Sequence, residues 1–173
     1  MFPKNRARVF LALWIGVLTA VPAWGHSLSG RVVKVLDGDT IVVLDAVLNE
    51  NKVRLLGIDA PEKKQAFGSA SKTSLSELVF GKEVRVEYKK RDRYGRILGK
   101  VIYQGKDINL EQIRSGLAWH YKQYQREQAF EERQSYATAE DKARELKIGL
   151  WQQPTPIPPW ASRHTKHKEI ARP

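Results

Sequence analysis

Cysteine is absent from the 173 residues. Disulfides and thiolate metal sites are thereby excluded, and any metal must be held by oxygen or imidazole. Histidine is scarce, with four in the chain, which argues against zinc and favours a hard cation such as calcium or magnesium. Acid is the poorer charge: 19 Asp and Glu face 30 Lys and Arg, for a formal net charge of +11. Such an excess favours polyanionic partners and speaks to association, not to fold. Membrane headgroups would also satisfy it, but no basic amphipathic helix with a broad Leu/Phe face is present. Long apolar runs are lacking as well. The run Val9 to Val21 holds thirteen residues, short of the ~20 needed to span a bilayer. Lys4, Arg6 and Arg8 precede it and Ala23-Trp24-Gly25 follows, so residues 1–25 read as a signal peptide. Its removal takes away three Lys/Arg and no acid, lowering the charge from +11 to +8. The expected product is a secreted or periplasmic protein with no stable membrane association and no disulfides, stabilised by its own core.

The length suits one compact domain. Between Ser27 and Tyr103, short β-branched runs broken by Gly, Asp and Asn predict strands over 32–36, 40–48, 52–58, 82–89 and 96–103. Asn49-Glu50-Asn51 reads as the turn between the second and third. Three helices fit the remainder. Ser69 is the expected N-cap of the first, which Gly81 stops, and Asn109 that of the second, which Gly116 stops. The third runs from about Gln128 to Lys147, with Tyr136, Ala139, Ala143 and Leu146 on its buried stripe. Pro154, Pro156, Pro158 and Pro159 forbid regular helix in the tail, residues 152–173, which reads as extended with Trp160 docked on the domain. Five strands, a helix and then further helices predict an α+β fold, a five-stranded OB-type β-barrel with three α-helices.

Two acidic clusters, Asp37-Gly38-Asp39-Thr40 and Asp59-Ala60-Pro61-Glu62, follow the hydrophobic runs 32–36 and 55–58. If those strands are neighbours, the carboxylates converge. Taken singly, such tetrapeptides are more often turn and capping residues. Arg54 lies on the strand that delivers Asp59, and Arg96 follows the turn Asp92-Arg93-Tyr94-Gly95. A planar guanidinium matches two phosphate oxygens, so two arginines beside a carboxylate-bound cation form a clamp for a phosphoryl group.

The stretches Val35 to Thr40, Val53 to Glu62, Asp92 to Arg96 and Gly116 to Ala118, with the closing Gly149-Leu150-Trp151, are similar in order and spacing to the motifs of staphylococcal-nuclease-like domains. The resemblance covers Ser27 to Trp151, the domain 27–151. It implies a nuclease that hydrolyses phosphodiester bonds of DNA and of RNA and leaves 3′-phosphate ends. It implies a Ca2+ ion held by Asp39 and Asp59 with the carbonyl of Ala60, a scissile phosphate held by Arg54 and Arg96, and Glu62 orienting or deprotonating the attacking water. Asp37 matches the motif but reads as a turn residue that supports Asp39. Tyr94 resembles the tyrosine that contacts substrate, and Tyr121 or Tyr124 would stack on a base. One departure is the short loop after Glu62: Lys63 and Lys64 are the lysines left there to reach substrate. A monomer is expected. The rival reading is an OB module that binds nucleic acid without cutting it.

Overall fold

Residues 25–163 are described by a computed structural model. The expected leader, apart from Gly25, and the tail beyond 163 lie outside the described residues. Among those described, no helix is long and apolar enough to cross a membrane.

The β-branched runs form β1 (His26–Asp37), β2 (Thr40–Asp45), β3 (Glu50–Leu55), β4 (Ile58–Asp59), β5 (Glu83–Arg91), β6 (Ile97–Tyr103), β7 (Lys106–Asp107) and β8 (Trp119–His120). The helices are α1 (Gly68–Val79), α2 (Ile108–Arg114) and α3 (Phe130–Glu145), with 3-10 turns at Lys122–Glu127 and Gly149–Gln152. The main sheet runs β3-β2-β1-β5-β6-β7, and a parallel pairing of β3 with β6 closes it. β1, β2, β3, β6 and β5 thus make the five-stranded barrel. β1 can serve two neighbours because it is long and irregular: residues 30–37 pair with β2, with register shifts after Val32 and Val35, while residues 26–31 pair with β5. Such shifts bend and coil a strand, which closure of so small a barrel requires.

Alternation along the strands sends Val32, Ile41, Val43, Val53, Leu55, Val84, Val86, Ile97 and Val101 into the barrel. Leu75 and Val79 of α1, Ile108 and Ile113 of α2, and Tyr136 of α3 join this core. A second cluster of Trp119, Ala143, Leu150 and Trp151 sits beside it, with Phe67, Ile148 and Trp160 packed against it. The docking expected of Trp160 is therefore present.

Several local expectations are corrected. Leu146, expected on the buried stripe of the third helix, is exposed, and residues 159–163 of the tail, expected to be extended, are helical. The turn from β2 to β3 precedes Glu50: Asp45 Oδ1 accepts from Val47 N (3.1 Å) and Asn49 N (2.8 Å), so the aspartate side chain organises it. Helix α1 starts one residue before the anticipated cap, at Gly68. Phe67 occupies the N-cap position at φ 65° without a side-chain cap, and a Cβ at Gly68 would overlap the Glu62 carbonyl. Helix α2 is capped by Asp107, whose carboxylate accepts from Leu110 N (3.1 Å), and Asn109 is buried within the helix.

Candidate active site

The two acidic clusters converge because the strand ends that carry them are neighbours. Thr40 pairs with Arg54 in the β2–β3 ladder, and Leu55 N donates to the Asp39 carbonyl (2.8 Å). The β1–β2 turn is fixed from beneath by α1 and α2. Gln112, fully buried, donates from Nε2 to the carbonyls of Gly38 (2.8 Å) and Ser71 (3.0 Å), and its Oε1 accepts from Ser74 Oγ (2.8 Å). Residue 38 must be glycine, since a Cβ there would overlap Ser71 Oγ. Asp37 accepts from Asp39 N (3.1 Å), the turn-supporting place expected of it.

Asp59 reaches the same spot from β4, held by a two-residue ladder to β8 in which Asp59 faces Trp119 and Ile58 faces His120. Ala60 N donates to Asp39 Oδ2 (2.7 Å), tying the clusters together. Between them lies Arg54. Its Nη1 stands 2.6 Å from Asp39 Oδ2 and its Nη2 is 2.7 Å from Asp59 Oδ1, with side-chain exposures of 14% for the arginine, 8% for Asp39 and 1% for Asp59. Burial pushes the Asp39 carboxyl up to about 7 against the opposing pull of Arg54, and the neighbouring charges of Asp37 and Asp59 add to the rise. Two buried carboxylates thus share the Arg54 guanidinium, whose buried Nη1 meets Asp39 as an ion pair without a hydrogen bond.

The donor chemistry fits a hard divalent cation. Two carboxylates face one shared cationic position, with no sulfur or imidazole among them. Among the described residues no group of three or more His, Cys, Asp or Glu is arranged to hold a metal. An ion here would complete its shell with a carbonyl, water or substrate oxygens, which suits the flexible coordination of calcium.

Glu62 follows on the loop from β4 to α1. Its backbone N donates to Gln65 Oε1 (2.8 Å). Its carboxylate, half-buried, meets Arg163 Nη1 at 2.7 Å, and Arg163 also donates to Asp59 Oδ2 (2.7 Å) and Oδ1 (3.3 Å). Sequence reading did not anticipate Arg163, which lies 101 positions after Glu62 in the tail.

Arg96 is placed differently from Arg54. The parallel register sets Arg54 beside Leu98, and Arg96 immediately precedes β6, at the end of the turn that Asp92 opens. Its Nε is bound to Asp92 Oδ2 (2.7 Å) rather than to the Asp39–Asp59 pair. Asp92 Oδ1 also accepts from Tyr94 N (2.9 Å) and Arg96 N (3.0 Å), and Gly95 completes this turn at φ 76°, a conformation that favours glycine. Tyr94 is exposed, with the Arg93 and Arg96 guanidinium carbons 4.8 and 5.6 Å from its ring centre. Tyr121 follows β8, and its N donates to the Gly57 carbonyl (2.8 Å), two residues before Asp59. Burial raises its phenol above the ordinary value, and the charge of Asp59 adds to this. Tyr124 meets Tyr121 edge-on at 5.2 Å and is more exposed. Lys63 and Lys64 are exposed on the turn after Glu62. A cleft of about 250 Å3 opens beside Tyr121, lined among others by Trp119, Lys122, Arg144 and Trp160.

The family model described as "Staphylococcal nuclease homologue" matches residues 52–153, a span that includes Arg54, Asp59, Glu62 and Arg96 and stops short of Trp160 and Arg163. The chain is 46% identical over 146 residues to an uncharacterized endonuclease of Escherichia coli, covering 84% of this chain and 91% of that protein. It is 40% identical over 164 residues to a micrococcal nuclease of Shigella flexneri, covering 88% and 90%. A staphylococcal-like nuclease of Arabidopsis thaliana is 36% identical over 115 residues, which is 66% of this chain and 34% of the plant protein.

Proposed function

Because the chain belongs to the staphylococcal nuclease family and is a nuclease hydrolase, we propose that it is an exported, monomeric, calcium-dependent endonuclease. Its substrates are DNA and RNA, and it leaves 3′-phosphate ends. The observation that carries this reading is the buried bridge of Arg54 between Asp39 and Asp59, with Glu62 alongside. A protein that merely coats nucleic acid has no need to bury two carboxylates at the place where phosphates must come, because they repel the ligand.

Asp39, Asp59 and the carbonyl of Ala60 would hold the ion, and what calcium supplies when bound is Lewis-acid polarisation of a phosphoryl oxygen. Arg54, preorganised by the strand register and the Asp pair, offers its donors to the equatorial oxygens as their charge grows. Arg96 would leave Asp92 in favour of the phosphate. Glu62 positions the attacking water and takes up its proton as the bond from phosphorus to the 5′-oxygen breaks. An ordinary carboxylate is a weak base at neutral pH, so positioning is its larger contribution. Tyr94, Lys63 and Lys64 contact the strand around the cut, and Tyr121 or Tyr124 stacks on a base.

Incubation of the protein with plasmid DNA, first in calcium and then in chelator, tests the reading. Cleavage should appear only with calcium, and E62A and R96A should each lose about two orders of magnitude or more in turnover while keeping the wild-type circular dichroism spectrum. Fragments should need phosphatase treatment before their 3′ ends can be extended by a polymerase. Undiminished cutting in chelator would remove the metal assignment, and near-normal turnover of either variant would remove that residue's role.

A further inference from the structure

Three contacts lay the tail across the candidate active site. Gln65, on the loop after Glu62, donates from Nε2 to the Ile157 carbonyl (3.2 Å). Trp160 stacks on Tyr121, with ring centres 5.3 Å apart and planes 27° from parallel, and meets Trp119 edge-on at 5.6 Å. Residues 159–163 are helical, and this turn carries Arg163 to Asp59 and Glu62, both at 2.7 Å.

The Arg163 and Trp160 contacts use groups that the reaction needs. Asp59 already has Arg54 on Oδ1, and Arg163 takes Oδ2 and shares Oδ1. A guanidinium in that place and a divalent ion bound by Asp59 compete for the same lone pairs. Glu62, bound to Arg163, is not free to hold water. The face of Tyr121 on which a base would stack is covered by an indole of similar size and chemistry. The tail therefore presents a cation to the carboxylates and an aromatic ring to the tyrosine, the two features that a metal-bound nucleotide would bring.

We propose that the segment from Pro154 to Arg163 is an intramolecular competitor, a strap that closes the site and is displaced by calcium at its Arg163 contacts and by nucleic acid at its Trp160 contact. The proposal rests on the nuclease reading above. The strap is built to be displaceable. Arg163 is 41% exposed at its side chain, the segment pairs with no strand of the described sheets, and Trp160 is only partly buried. A closed strap lowers the apparent affinity of its competitors by the fraction of molecules that are open. Polyanionic substrate adds a second pull, since Arg163 released from Asp59 can pair with a phosphate instead.

The full chain and its R163A, R163Q and W160A variants provide the test. Calcium alone is titrated by calorimetry, a short single-stranded DNA is titrated in chelator, and hydrogen–deuterium exchange is followed over residues 154–163. R163A and R163Q should bind calcium about three- to tenfold more tightly than wild type, and W160A should bind the DNA more tightly by a similar factor. Exchange in 154–163 should rise when wild type is saturated with calcium. Thermal melts confirm that each variant is folded, and R163Q provides a conservative check on R163A. Calcium affinity that is unchanged or weaker in both arginine variants, or a segment equally protected with and without calcium, overturns the strap. A fall in kcat at unchanged calcium affinity does so too, because it makes Arg163 a phosphate ligand. Calcium-dependent cleavage by the wild-type chain is scored separately. Its presence beside unchanged affinities overturns the strap alone, while its absence overturns the nuclease reading and the strap with it.

Discussion

A single buried amide, Asn109, joins three segments of backbone. Its Oδ1 accepts from Val101 N (3.1 Å), and its Nδ2 donates to the carbonyls of Leu56 (3.0 Å) and Gly99 (3.1 Å). Leu56 follows the strand that carries Arg54, so the amide links α2 to both strands of the closing parallel pair. Asn109→Ala would strand these groups at about 1 kcal/mol or more each, roughly 3 kcal/mol in all, read as a shift of the urea midpoint. A midpoint unchanged from wild type would mean that water replaces the side chain. His120 gives a pH signature. Its ring is buried against Tyr136, with Nε2 3.0 Å from Gln128 Oε1. Burial holds its pKa below the ordinary 6.5 although Gln128 and the Glu140 charge pull it up; Lys122 lowers it and Asp141 raises it. The unfolded chain therefore takes the proton first as pH falls. The contribution of neutral His120 is complete above about 6.5 and is lost as pH drops from there toward the folded value. Melting temperature should decline over that window in wild type and decline less in His120→Gln. Equal slopes would assign the decline to other groups. At this scale Asp39, Arg54, Asp59 and Glu62 were legible in the sequence because each sits in a dense local motif at a strand end. Asn109 was misread as a cap because Asp107, two residues earlier, offers the same chemistry and the distant carbonyls that claim Asn109 leave no local trace.

At the scale of elements, the main strands and helices follow from periodicity, while the smallest elements do not. β4 and β8 have two residues each, too few for any alternation to register, yet their pairing places Asp59 against Trp119. What holds β8 is the second aromatic cluster. Trp151 meets Trp119 edge-on at 4.4 Å, and the Arg144 guanidinium lies 4.0 Å from the Trp151 ring centre. Trp151→Ala should cost about 3–5 kcal/mol of stability, the usual loss for a buried tryptophan. It should also lower turnover at temperatures well below the melting transition, because the support beneath Asp59 is loosened. Stability measured by denaturant and turnover measured in calcium check the two parts. A variant that melts early but cuts at the wild-type rate would confine the cluster to a structural role. The tail was legible only in part: Trp160 reads as an anchor, but the prolines suggest an extended segment where residues 159–163 are helical, and Arg163 reads as one basic residue among many until the fold brings it to Asp59.

For the whole molecule, charge decides how substrate arrives. The full chain carries a net charge of +11, and many of the described lysines and arginines are exposed, while Asp39 and Asp59 are buried. Lys63 and Lys64 stand exposed one and two residues after Glu62, on the rim of the candidate site. Lys89, Lys90 and Arg126 line a second cleft together with Leu56 and Leu98, where Lys90 also pairs with Glu127 (2.8 Å). If binding comes from these cations meeting phosphates, the logarithm of the DNA association constant should fall linearly with the logarithm of salt concentration, by about 0.7 for each phosphate contacted on a single strand. The double substitution K63A/K64A should make that slope shallower by about 1.4 and weaken binding equally for unrelated sequences, since phosphate contacts carry no sequence information. In turnover the same change should raise KM more than it lowers kcat, because contacts remote from the reacting phosphorus act on ground state and transition state alike. Titrations of several oligonucleotides across a salt series, in chelator, measure the slope. An unaltered slope would show that the strand does not cross this rim, and a loss confined to kcat would move the two lysines from substrate binding to the geometry of Glu62.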